Sequence, residues 1–90
     1  MELNLNNKTA LITGASKGIG KAIAESMAEE GCNLILTARS ENKLIEVKSD
    51  LQKKYNISVE IIAIDLSLKG AAEKVAEFSG NVDILINNAG

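Results

Sequence analysis

Apolar residues gather in short continuous runs at Thr9–Thr13 (TALIT), Asn33–Ala38 (NLILTA), Val59–Ile64 (VEIIAI) and Asp83–Asn87 (DILIN). Between the runs they recur at helical spacing instead. From Gly18 to Glu30, Ile19, Ile23, Met27 and Ala28 fall on one face, with Lys21, Glu25 and Glu29 off it. Gly31 stands where a glycine stops a helix. Ser40 is placed to N-cap a second helix, whose Leu44, Val47 and Leu51 recur at i, i+3 and i+7. Ser67 is placed to cap a third helix running through Phe78, with Ala71, Val75 and Phe78 inward.

The predicted order is β-α-β-α-β-α-β. Runs that are apolar at successive positions, not at alternate ones, suit a parallel sheet covered on both faces. Right-handed crossovers stack such elements into an open α/β, doubly wound parallel sheet. No proline, linker or low-complexity stretch divides residues 1–90, so they form a single unit with no second domain.

The segment Thr13-Gly14-Ala15-Ser16-Lys17-Gly18-Ile19-Gly20 leaves a predicted strand and opens a predicted helix. That setting is what a phosphate-binding loop requires. Gly14 allows a sharp turn off the strand, Gly18 lets backbone approach a diphosphate, and Gly20 lets the helix pack close to the sheet. The N–H groups of a helix's first turn lack intrahelical partners, and the helix dipole favours an anion there. A Walker loop is excluded, because position 15 is Ala and Gly20-Lys21 is followed by Ala22. The GxGxxG fingerprint is excluded too, because the glycines fall at 14, 18 and 20. Glycines alone would equally make a tight strand-to-helix turn.

The strand after the first helix ends Thr37-Ala38-Arg39-Ser40, and residues 31–40 contain no Asp or Glu. An acidic residue there would accept the ribose 2′-OH of NAD. Arg39 can instead fork onto a phosphate, with Lys17 as a second cation. The alternative is that Arg39 and Lys17 are solvated surface cations, with Glu41 available as a partner.

TGxxxGIG after a first strand, followed in register by NNAG at Asn87–Gly90 after a fourth, resembles the short-chain dehydrogenase/reductase family. The resemblance spans all ninety residues. It implies a Rossmann-type fold, here the first four strands and three helices, and an NADP(H)-dependent oxidoreductase that moves a hydride between the nicotinamide and a carbonyl or alcohol substrate. It assigns Gly14, Gly18, Gly20 and the Ile19 N–H to the diphosphate side. Ser16 falls near the adenosine ribose and its 2′-phosphate; Lys17 and Arg39, with Ser40 beside it, fall at that phosphate. Asp65 and Leu66 would meet the adenine ring, the carboxylate taking the exocyclic amine. Asp65 simply ending a strand and capping a turn is the competing role. Asn88, Ala89 and Gly90 would line the cleft, with Asn87 tying neighbouring strands.

The family's catalytic Tyr-x-x-x-Lys has no counterpart in residues 1–90: Tyr55 is the sole tyrosine and position 59 is Val. The sequence thus reads as the N-terminal third of a longer enzyme, with the resemblance implying an oligomer for the parent. A complete, non-catalytic nucleotide-binding module is the alternative. Composition narrows the rest. A net charge of −2 with one Phe and one Tyr gives neither a basic stripe nor a stacking platform for nucleic acid. No histidine and a single cysteine leave no zinc set or histidine triad. Apolar runs too short to span a bilayer, and no secretory pattern at MELNLNNK, point to a cytoplasmic setting.

Overall fold

The computed structural model describes residues 5–88. The elements run β1 (Thr9–Thr13), α1 (Gly18–Glu29), β2 (Asn33–Ala38), α2 (Glu41–Lys54), β3 (Val59–Ala63), α3 (Ala71–Ser79) and β4 (Ile84–Ile86). The four strands form one parallel sheet in the order β3-β2-β1-β4. It is the α/β, doubly wound arrangement expected from the apolar runs.

The chain alternates its side chains across the sheet, which splits the core in two. Ala10, Ile12, Leu34, Leu36 and Val59 point to one face and pack against Ala24 and Ala28 of α1 and Leu44, Val47 and Leu51 of α2. Leu11 and Ile35 point to the other face and meet Val75 of α3, with Ile62, Ile64, Leu66 and Val82 around them. Among the described residues the first face carries two helices and the second one, of nine residues. A single short helix cannot seal a four-stranded sheet. Leu85 of β4 and Phe78 of α3 stay 62% and 57% exposed. Phe78, expected inward, therefore does not join the core.

Two further expectations are corrected on the helices. Ile19 lies on the first turn of α1 and is 71% exposed, while the buried stripe is Gly20, Ala24 and Ala28. Small residues at i, i+4 and i+8 let α1 lie close against β1 and β2. α3 begins at Ala71, after Gly70 in the left-handed region (φ 83°), with no side-chain cap. Ser67 is spent elsewhere, as described below. Ser40 does cap α2, accepting the Lys43 N–H at 3.4 Å, and Gly31 (φ 85°) follows the end of α1.

The centre of stability is β2, paired on both sides and apolar on both faces. Leu36→Ala there should cost about 2–5 kcal/mol, read as a fall in the urea midpoint. In the 90-residue chain Leu85→Ala, on an exposed position, should change stability by less than about 0.5 kcal/mol. Equal losses at the two sites would contradict the assignment of the core. Among the described residues, no helix is long and apolar enough to cross a membrane.

Candidate cofactor-binding site

Because all four strands are parallel, their carboxyl ends share one edge of the sheet. The chain leaves β1 toward β2 on one side and returns from β3 to β4 on the other, so the strand order switches direction at β1. Ligands of open α/β sheets sit in the crevice at such a switch. Every candidate residue that the structure describes follows a strand end. Gly14 to Gly20 follow β1, Arg39 and Ser40 follow β2, Asp65 and Leu66 follow β3, and Asn88 follows β4. Ala89 and Gly90 lie outside the described residues.

The loop is anchored from beneath. The Ala15 N–H donates to the Thr37 carbonyl at 3.2 Å, tying the loop to β2. The Thr13 hydroxyl donates toward Asn87 Oδ1 at 3.1 Å and accepts the Asn88 N–H at 2.8 Å. Asn88 Nδ2 in turn donates to the Gly14 carbonyl at 3.3 Å. The end of β4 is thus pinned to the glycine loop by Thr13, Asn87 and Asn88. Thr13 is the residue that sequence reasoning undervalued. Its one visible signal is a hydroxyl at a strand end beside two Asn at a neighbouring strand end.

Close packing explains Gly20. A Cβ placed there would run into the backbone carbonyl of Gly14 and stand 2.7 Å from Asn88 Nδ2. Gly18 differs: its φ is 60°, and a Cβ on it would meet nothing within 4 Å among the described residues. The outer side of the loop is therefore open. Lys17 is the N-cap of α1 in an extended conformation and makes no side-chain cap bond. The first turn of α1 carries no acidic residue. The N–H groups of that turn are left for a ligand or solvent, with the positive end of the helix dipole behind them. An open cradle, uncapped donors and exposed Lys17 and Arg39 fit the diphosphate and phosphates of a dinucleotide.

Asp65 is held by its neighbour. The Ser67 N–H donates to Asp65 Oδ1 at 2.9 Å, and the Ser67 hydroxyl donates to the same oxygen at 2.6 Å. These two bonds hold the carboxyl below its ordinary range, and the nearby Arg39 charge pulls in the same direction. Asp65 is ionised at neutral pH and accepts without donating. A separate groove of about 510 Å³ between α1 and α2, lined by Lys21, Glu25, Val47, Asp50, Leu51 and Lys54 among others, contains none of the candidate residues.

The model of the short chain dehydrogenase family matches residues 8–90. The chain belongs to that family. A 12alpha-hydroxysteroid dehydrogenase of a Clostridium species is 42% identical over 94 residues, covering 93% of this chain and 36% of its own length. A 3-oxoacyl-[acyl-carrier-protein] reductase of Aquifex aeolicus is 35% identical, covering 100% and 38%. Among solved structures, the L-sorbose reductase of Gluconobacter frateurii, complexed with NADPH and L-sorbose, superposes with a TM-score of 0.87 at 39% identity, covering 100% of this chain and 36% of that one. The chain thus spans about a third of the length of the short-chain dehydrogenases it matches. The Rossmann-type sheet and the oxidoreductase family expected from TGxxxGIG and NNAG both hold.

Proposed function

We propose that residues 1–90 hold the adenosine diphosphate end of NADP(H) for a hydride transfer between the nicotinamide and a carbonyl or alcohol substrate. The observation that carries this is the convergence of the loop Gly14–Gly20, Lys17, Arg39, Asp65 and Asn88 on the carboxyl edge of the sheet at its switch point. The α1 N-terminus and the backbone around Gly18 take the diphosphate, with the Ile19 N–H facing it. Ser16, Lys17, Arg39 and Ser40 take the 2′-phosphate region. Asp65 and Leu66 take the adenine, and Asn88, Ala89 and Gly90 line the ribose side. NADPH, when bound, supplies the hydride. None of these residues is assigned the proton transfer that must accompany it. A Tyr-x-x-x-Lys beyond residue 90 would supply that step. The NADPH complexes of the sorbose reductase and of a Sphingobium yanoikuyae relative support the choice of cofactor.

Titration with NADPH and NADH, followed by nicotinamide fluorescence, tests the proposal. Saturable binding is expected, with NADPH preferred by about tenfold or more, as one or two charge-assisted bonds to a phosphate would give. No saturable signal from folded protein, or a preference for NADH, would overturn it.

A further inference from the structure

Ser67 stands where sequence spacing gives it to a helix start, but the structure gives it to Asp65. Its N–H and its hydroxyl both donate to one oxygen, Oδ1, at 2.9 and 2.6 Å. No described residue donates a hydrogen bond to Oδ2. Arg39 is the cation whose charge acts on the same carboxylate, without a direct bond to it. We infer that Ser67 is a positioning residue for base recognition: it fixes the Asp65 carboxylate so that Oδ2 is left as the acceptor for a 6-amino group, and so makes the site select a 6-aminopurine over a 6-oxopurine. This rests on the proposal that Asp65 and Leu66 meet the base of the cofactor.

An ionised carboxylate only accepts. It pairs with the amine of adenine and opposes the carbonyl of hypoxanthine, acceptor against acceptor. An Asp free to rotate must be ordered when the base arrives, and that ordering is subtracted from affinity. With Ser67 in place the ordering is already done. The same two bonds keep the carboxylate from swinging onto Arg39, which leaves the guanidinium free for a phosphate. Without Ser67, Asp65 and Arg39 are free to pair with each other, and the acceptor turned to the base is lost.

The test uses NADPH and its 6-oxo analogue, reduced nicotinamide hypoxanthine dinucleotide phosphate, with the protein at the full length its gene encodes. The unsubstituted protein should prefer NADPH by about tenfold, the value of one hydrogen bond to a charged group. Ser67→Ala should narrow that ratio to within about threefold, and Ser67→Thr, which keeps the hydroxyl, should restore it. Carboxyl NMR should show Asp65 titrating at higher pH in Ser67→Ala, because two donors have become one. A ratio unchanged in Ser67→Ala would overturn the role of Ser67. Tight NADPH binding with no discrimination in the unsubstituted protein would overturn base reading by Asp65 while leaving the cofactor assignment intact. Binding of neither dinucleotide would remove the cofactor assignment itself, and this inference with it.

Discussion

Gly20→Ala should lose both stability and cofactor affinity, at a kind of position where the same change ordinarily strengthens a protein. A glycine inside a helix costs roughly 0.5–1 kcal/mol relative to alanine. Gly20 is such a residue, in the first turn of α1. The sign reverses here because the new methyl would run into the Gly14 carbonyl and press on Asn88 Nδ2. The first obstacle is backbone and cannot rotate away. Relief requires α1 to lift from the loop or Gly14 to shift; the first draws the α1 N-terminus away from the loop, and the second strains the bond from Asn88 to the Gly14 carbonyl. Overpacking of this kind costs about 1–3 kcal/mol. The displaced loop should also lose about tenfold or more in NADPH affinity, since diphosphate donors must hold their positions to within a fraction of an ångström. Gly70→Ala is the control. Gly70 is left-handed (φ 83°), unlike Gly20, and among the described residues nothing lies within 4 Å of its missing Cβ. That variant should pay for backbone conformation alone and bind NADPH normally. Gly20→Ala matching the parent in thermal midpoint and NADPH affinity would contradict the packing argument.

What could be read from the sequence follows how each element is held. β1 and β2 run as their apolar patterns predict, Thr9–Thr13 and Asn33–Ala38. Both are interior strands, paired on two sides, so apolar pattern and hydrogen bonding end together. Among the described residues β3 and β4 pair on one side only, and each is shorter than its apolar run: β3 stops at Ala63 and β4 spans only Ile84–Ile86. The start of α3 was hidden by a competition that spacing cannot show. The Ser67 hydroxyl had two possible uses, a helix cap or the carboxylate two residues before it, and it took the nearer. Phe78 keeps helical phase with Ala71 but stays 57% exposed among the described residues, because coverage of a face depends on how many helices reach it. In the site, glycine spacing revealed the loop and its setting. The anchoring by Thr13, Asn87 and Asn88 depends on which strand ends become neighbours, and that is set by the order β3-β2-β1-β4.

The largest change in specificity is expected from Lys17→Ala/Arg39→Asp, which should move preference from NADPH to NADH. Lys17 precedes the α1 N-terminus, Arg39 follows β2, and both are exposed. Exposed charges are screened, so each contributes modestly on its own. The double change acts in three ways together. Two cations proposed to attract the 2′-phosphate are removed. A carboxylate that repels it is introduced. That same carboxylate accepts the ribose 2′-OH of NADH, in the role an acid at this strand end performs in NAD-binding sheets. Taken together these should swing the NADPH/NADH affinity ratio by about a hundredfold or more. Asp65 is a complication that works in favour of the design. Its carboxylate already sits within reach of the Arg39 charge, so a second acid at position 39 adds to a negative field where the phosphate would enter. Raising ionic strength should shrink the NADPH preference of the parent protein, because the attraction is between solvated charges. It should have less effect on the NADH preference of the variant, which depends on a neutral hydroxyl. Dissociation constants for both dinucleotides, measured for both proteins at low and high salt, separate these contributions. An affinity ratio that the double variant leaves unchanged would show that Lys17 and Arg39 are solvated cations and that the 2′-phosphate is read by other residues.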